Sequence, residues 1–366
     1  MMRVLFVGYL GRGQTSGMRC AALRRLGHEV LAVDAGAIWR GVGYLTRQIA
    51  QTTLRGSRID ELNRSVLEKA AQHRPELVWA EKQEYLRPET IEELSARGAV
   101  LVHYNPDPYF SVEWKQNALA DACLPLYDLL VVTKRYEMEA YRLQCRGLIV
   151  YSPLGYDPVG HAPPAAQAAR DGDVVFVGGW ERRRERLLSS ACDFTDRVSV
   201  WGYGWRIAQG SRANPLRALR LGRLTPGRST YFGSPSRKLA RTIGEGEGSN
   251  GEIYEEGYAN AVAGSRIALG LVREAWPDEH TTRTFEIPAI GGFMLADRTN
   301  EHLELFEEGK EAEYFGSDEE FRDKLRFYLA NDAARGRIAR AGHERCMSSG
   351  YSYDDRIRSV LNEIKL

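Results

Sequence analysis

The sequence predicts two α/β domains in succession, each an open parallel sheet covered by helices on both faces. Three observations predict it. Short apolar, β-rich runs alternate with helical stretches over the first 150 residues, a proline-rich stretch breaks the pattern, and the same alternation then restarts. Such alternation favours parallel strands, because the crossover helices must cover both faces of the sheet.

In order, Arg3 to Gly8 reads as the first strand, and Gly8, Gly11, Gly13 and Gly17 follow it. A helix is expected from Met18 to Leu26, stopped by Gly27. His28 to Asp34, Leu77 to Ala80, Val100 to Tyr104 and Leu129 to Thr133 read as further strands. The stretch SPLGYDPVGHAPPAAQAARDG holds four prolines and marks a linker. The expected division is a first domain over 1–155, a linker over 156–172, a second domain over 173–350 and a last helix over 351–366. In the second domain Asp173 to Val177, Val198 to Trp201, Ile267 to Leu271 and Gly292 to Ala296 read as strands. Arg182 to Ser190, Phe321 to Leu329, Ala333 to Cys346 and Asp354 to Ile364 read as helices. A basic insertion is expected over 205–250: residues 205–241 carry nine Lys/Arg and no Asp or Glu.

The chain has 366 residues, 43% hydrophobic and 27% charged, enough for two packed cores. Fifty basic and 49 acidic side chains leave a net charge of +1. That excludes a polybasic, nucleic-acid-coating protein, and no nucleic-acid partner is expected. No apolar run approaches the roughly 20 residues that span a bilayer. The start MMRVLFVGYLGRG lacks the apolar run and small-residue site of a signal peptide. Five scattered cysteines, never CxxC, argue against structural zinc and for a reducing cytoplasm. Localisation at the inner face of a membrane is a second option, through headgroup contact of the basic stretch 205–241, against a plain solvated loop. Protease, zinc-hydrolase and P-loop kinase motifs are missing from the sequence.

In open parallel sheets ligands bind beyond the carboxyl ends of the strands, which directs attention to the residues there. Gly8-Tyr9-Leu10-Gly11-Arg12-Gly13 follows a strand and opens a helix, but its spacing is not GxGxxG. A ligand role for Gly11 and Gly13 stands beside a tight turn that needs small residues. The segment Asp278-Glu279-His280-Thr281-Thr282-Arg283-Thr284-Phe285-Glu286 is the richest in the chain. Its hydroxyl residues and an early Pro288 are read as helix-start signals. Free N–H groups and the positive dipole end at such a start suit a diphosphate. Arg283 would neutralise it and Glu286 would accept from ribose hydroxyls. Gly178-Gly179 ends the strand before an arginine-rich helix and would let a phosphate approach. In Trp201-Gly202-Tyr203-Gly204-Trp205, Tyr203 and Gly204 suit a flat base, or else core aromatics at a turn. His103, Asp107 and Tyr109 follow a first-domain strand, and His103 or Asp107 could act as a general base. Glu81 has a similar position and is read as structural.

RTFEIPAIGGFMLAD at 283–297, VVFVGGWERRRERLL and WGYGW resemble the donor half of GT-B glycosyltransferases, most nearly the spore-maturation (CgeB-like) type. The likeness covers roughly 173–358 and is only architectural before residue 150. It implies two Rossmann-like domains with sheets facing an interdomain cleft, and a last helix crossing back to the first domain. It implies sugar transfer of hexosyltransferase kind from a nucleotide-diphosphate sugar to an acceptor that the sequence does not name: a glycan, a natural product or a lipid-linked group. Glu286 matches the ribose-binding glutamate. The sugar-contacting glutamate eight positions earlier is matched by Asp278, a shorter acid with Glu279 beside it. Thr282, Arg283 and Thr284 would flank the diphosphate, with Gly178, Gly179, Tyr203 and Gly204 on the donor side. Gly11, Gly13 and Tyr109 would lie on the acceptor side. No metal and no cofactor besides the donor are expected, and the Asp278/Glu286 pairing favours retention. A nucleotide-sugar epimerase and a non-catalytic nucleotide-sugar binder are the alternatives. Oligomeric state is left open.

Overall fold

A computed structural model describes residues 1–165, 172–205 and 251–364. The end of the expected linker and most of the basic stretch 205–241 lie outside the described residues. The chain forms two compact units, Met1–Asp157 with Tyr353–Leu366, and Pro158–Ser352.

The first unit is built on a six-stranded parallel sheet. Its strands are β1 (Arg3–Gly8), β2 (Glu29–Asp34), β3 (Leu77–Glu81), β4 (Val100–Asn105), β5 (Leu129–Val132) and β6 (Leu148–Tyr151), ordered β2-β1-β3-β4-β5-β6. Val4 to Val7 and Leu77 to Ala80 are fully buried, because helices cover both faces of the sheet. One face packs on Ile59, Leu62 and Val66, and the other on Cys20, Leu23, Ile357 and Val360. The first helix, α1 (Thr15–Arg25), starts three residues before its expected start at Met18. It stops as expected, with Gly27 at φ +85, a left-handed position that glycine occupies without Cβ strain. The last helix, Tyr353–Asn362, packs beside α1, and Arg25 bonds both Asp354 and Asp157 at 2.6 Å.

The second unit has five parallel strands: β7 (Gly172–Val177), β8 (Val198–Trp201), β9 (Ser265–Gly270), β10 (Met294–Asp297) and β11 (Glu313–Phe315), ordered β11-β10-β9-β7-β8. In both units the first strand lies between the second and the third. The connections therefore leave in opposite directions at that strand, and a crevice opens where they part. The relevant strand ends are β1 and β3 in one unit, β7 and β9 in the other. These are two Rossmann-like domains.

Close approach of β7 and β8 explains the WGYGW glycines. Gly202 sits at φ +130, and a Cβ there would fall 2.4 Å from the carbonyl oxygen of Gly178. Gly202→Ala is expected to lower the melting temperature by several degrees, through backbone strain and a backbone clash that no rotamer relieves. Differential scanning calorimetry would measure it.

Candidate active site

At the carboxyl edge of the second sheet the chain leaves β9 and runs to a short helix, Arg283–Ala289. Thr284 to Ala289 are all buried, so burial rather than amphipathic patterning holds this helix. Two expectations are corrected here. No threonine side chain caps the helix, since Thr282 is already in helical conformation. Pro288 is not an early helix residue but the sixth of seven; it cannot donate to the carbonyl four residues back, and the helix ends one residue later.

Glu286 is 5% exposed. Its Oε1 lies 3.7 Å from His161 Nε2, and its Oε2 is 4.0 Å from Arg283 Nε. Tyr258 is buried against it: burial first, then the Glu286 carboxylate, push the phenol well above its ordinary value. The His161 and Tyr258 rings meet edge-on at 5.8 Å. Arg283 donates from Nε to the Val177 carbonyl at 3.0 Å and from Nη1 to Thr282 Oγ1 at 3.0 Å. A guanidinium is thus fixed to the end of β7, one residue before Gly178-Gly179. His161 belongs to the stretch read as a linker, and Tyr258 to a helix, Glu255–Ala263, that no motif marked. Neither carried a sequence signal, since each becomes a site residue only by lying against Glu286.

The segment before the helix is braced from behind. The Thr281 N–H donates to Thr284 Oγ1 at 3.1 Å, and Thr284 Oγ1 and His302 Nε2 are 2.8 Å apart. His302 Nδ1 lies 2.6 Å from the Asp297 carbonyl, which can only accept. Nδ1 therefore carries the proton, and Nε2 accepts from the Thr284 hydroxyl. Thr281 Oγ1 is buried with no hydrogen-bond partner among the described residues. The Asp297 carboxylate takes the Val272 N–H at 2.8 Å and pairs with Arg183. His280 pairs with Glu301.

Burial pushes His302 down to about 4, and burial alone does the same for His103 in the first unit. Unfolded, each histidine takes up a proton near pH 6.5. Between 6.5 and about 4 the unfolded chain therefore binds more protons, and stability present above pH 6.5 is lost as pH falls. The wild-type melting temperature should drop more steeply between pH 7 and 4.5 than that of His302→Gln, followed by circular dichroism.

Asp278 is buried in the loop between β9 and the helix. Glu279 is half-buried, with Asn300 Nδ2 at 3.3 Å from its Oε1. Gly178 accepts from Trp205 Nε1 at 2.8 Å, and Trp180 N–H donates to the Tyr203 carbonyl. Tyr203 itself is exposed. Gly204 sits at φ +91 with Trp180 Cβ 3.0 Å from where its own would be. The WGYGW glycines are thus accounted for by packing of the two strand ends. Of the arginine cluster, Arg184 is buried and donates to the carbonyls of Gly179 and Leu271, which ties the ends of β7 and β9 together.

In the first unit, a Cβ at Gly8 would meet Ser16 Oγ at 2.3 Å, and Gly13 lies at φ +73. A Cβ at Gly11 would meet only Gln14 Cγ, at 3.8 Å. Glu81 is fully committed to Arg19, 2.7 and 2.8 Å from Nε and Nη2. A pocket is lined by Lys82, His103, Asp107, Tyr109 and Lys115. Lys82, directly after β3, holds a left-handed φ of +48. Asp107 lies 2.6 Å from Lys82 Nζ and 3.3 Å from Lys115 Nζ. Burial opposes its ionisation, but the two ammoniums outweigh burial and hold the carboxyl well below its usual range. A carboxylate so stabilised is a weak proton acceptor, which weighs against Asp107 as a base. His103 is buried and neutral, and its Nδ1 has no partner among the described residues. Tyr109 donates its hydroxyl to Asp121 at 2.7 Å.

Two parallel Rossmann-like sheets and this strand-end site define the GT-B class of fold. Residues 182–362 match the family model described as glycosyl transferase-like. Over residues 182–362 the chain is thus similar to that family. Among solved structures it is similar to sucrose-phosphate synthase from Thermosynechococcus elongatus, with 13% identity over 99% of this chain and 98% of the other and a TM-score of 0.64. It is similar to Anabaena HepE, solved in complex with UDP and glucose, with 13% identity over 100% of both chains and a TM-score of 0.59. It is also similar to a protein from Listeria monocytogenes designated a UDP-N-acetylglucosamine 2-epimerase, with 10% identity over 99% and 97% and a TM-score of 0.52. No curated protein matches the sequence. No helix among the described residues is long and apolar enough to cross a membrane.

Proposed function

We propose that this chain transfers a sugar from a nucleotide-diphosphate sugar to an acceptor hydroxyl. The buried Glu286 carboxylate, held beside Arg283 at the end of β7, carries the reading. A buried carboxylate with a free lone pair suits ribose hydroxyls, and the anchored guanidinium suits the diphosphate. Structural relatives that hold UDP and glucose support a nucleotide sugar as donor.

In this mechanism the second unit holds the donor and the first the acceptor. Glu286 accepts from the ribose, and Gly178-Gly179 admits the phosphates without a side chain in the way. Thr282, Arg283 and Thr284 flank the diphosphate. Arg283 is fixed before the donor arrives, so it stabilises the charge that grows on the leaving diphosphate without reorganising, and no metal is needed in this scheme. Tyr203 and Gly204 stay on the base side. Asp278, with Glu279 beside it, contacts the donor sugar and favours retention. If the reaction inverts, His103 or Asp107, both lining the first unit's pocket, is the base. Gly11, Gly13 and Tyr109 remain on the acceptor side as framework. The spore-maturation type is the finer assignment we draw from residues 283–297. Five buried free thiols suit a reducing cytoplasm.

A thermal-shift panel of nucleotides and nucleotide sugars tests the reading. A donor at about 100 times its dissociation constant adds roughly 2.7 kcal/mol, a rise of a few degrees. Stabilisation by one base family, unchanged when Mg²⁺ is omitted, is the expected result. No shift with any donor would sink it. Conversion of the free nucleotide sugar without acceptor would replace transferase by epimerase.

A further inference from the structure

The first unit presents an apolar ridge that its own core does not use. The helix Tyr44–Thr53 contains no buried residue. Its inner side rests on the core through Ala50 and through Gln51, whose Nε2 donates to the Tyr85 hydroxyl at 3.3 Å. Its outer side carries Tyr44, Leu45 and Ile49, exposed by 59%, 73% and 63%. Leu45 and Ile49 are four apart and share one helical face, with Tyr44 beside them. Packing of the unit requires none of the three outside. Clustered large apolar side chains on a surface mark a contact with something else.

The charge around the ridge narrows what that is. Residues 35–59 contain Arg40, Arg47, Arg55 and Arg58, and no aspartate, glutamate or lysine. Arg40 is paired with Asp34 and Arg58 with Glu61. Arg47 lies over the Trp39 ring at 5.7 Å, and Arg55 is exposed. In a symmetric pair of chains this surface would meet itself and bring Arg47 and Arg55 of each copy together, with no acid on the helix to offset them. The three apolar side chains stand out from the helix, each more than half exposed. A soft anionic surface accepts such a ridge, whereas a rigid partner would need a matching furrow.

We infer that the Tyr44–Thr53 helix is an interfacial anchor that sets the first unit on an anionic lipid surface. Leu45 and Ile49 enter the headgroup boundary, Tyr44 lies at the interface, and Arg47 and Arg55 face anionic lipid. This surface does not depend on the donor site.

Vesicle co-sedimentation of the full chain tests it. The probes are phosphatidylcholine vesicles and vesicles with about one third phosphatidylglycerol. Wild type is expected to bind the anionic vesicles and not the neutral ones, with weaker binding as salt rises. Leu45→Asp with Ile49→Asp should reduce binding at least tenfold, and Arg55→Glu severalfold. Both side chains of the double variant are exposed, so its melting temperature should match wild type, which separates lost binding from lost folding. Absence of binding at low salt would overturn the anchor. So would undiminished binding by the double variant, which would move the contact to the basic stretch 206–241. A wild-type dimer in solution that the double variant abolishes would assign the ridge to self-association instead.

Discussion

Glu286→Gln is expected to weaken nucleotide-sugar binding between tenfold and a hundredfold. The replacement keeps the shape of the side chain and removes its charge, and with it a charged acceptor for ribose hydroxyls. Hydrogen bonds to charged groups contribute about 1.5–3 kcal/mol, and each 1.4 kcal/mol is a factor of ten in affinity. Isothermal titration with the donor selected by the thermal panel measures it directly. The melting temperature of the unliganded variant should stay near that of wild type, because glutamine can still face His161, Tyr258 and Arg283. Unchanged donor affinity would remove Glu286 from the site, whatever happened to turnover. Arg283 gives a different pattern: its guanidinium is anchored to the Val177 carbonyl, so Arg283→Lys loses that fixed geometry while keeping a charge.

The second large effect concerns stability. Arg19 and Glu81 form a doubly hydrogen-bonded pair, each side chain only 1% exposed. Trp79 Nε1 also donates to Glu81 at 3.1 Å. The Arg19 guanidinium lies over the Tyr104 ring at 4.3 Å and the Tyr353 ring at 5.1 Å, so the pair joins α1, β3 and the last helix. Removing one partner strands a buried charge and costs about 3–5 kcal/mol. Glu81→Gln and Arg19→Met are each expected to lower the unfolding free energy of the first unit by that order, read as a lower denaturant midpoint. Combining Arg19→Met with Glu81→Leu should recover much of the loss, since apolar replacement of both partners leaves no unpaired charge. If the double variant is as unstable as the worse single one, the pair is not the cause. Tryptophan fluorescence and near-UV dichroism during guanidinium unfolding would report the transition.

The two sheets were legible because both faces of the central strands are buried. Their sequences then become continuous apolar runs, which need no partner to be recognised. The Gly27 stop was legible for a related reason: the left-handed turn is a local demand, and glycine meets it locally. The segment 278–286 stood out for its density of carboxylates, hydroxyls and arginine after a strand. Its helix start was misread because burial on every side, rather than a threonine cap, holds so short a helix. His161 was hidden in a proline-rich stretch that looks like a tether. At Asp107 a sequence shows an acid but not the two lysines that fold onto it.

By itself, then, the amino-acid sequence determined the alternation of strands and helices, the two-sheet plan and the segment that carries Glu286. Each follows from periodicity or composition within a few turns of chain. Only the tertiary structure decided that Glu81 spends its charge on Arg19, that His161 and Tyr258 close around Glu286, and that the glycines at Gly202 and Gly204 serve strand packing. Electrostatic strength depends on burial and on the nearest opposite charge, and both are set by residues distant in sequence that folding brings within a few ångströms.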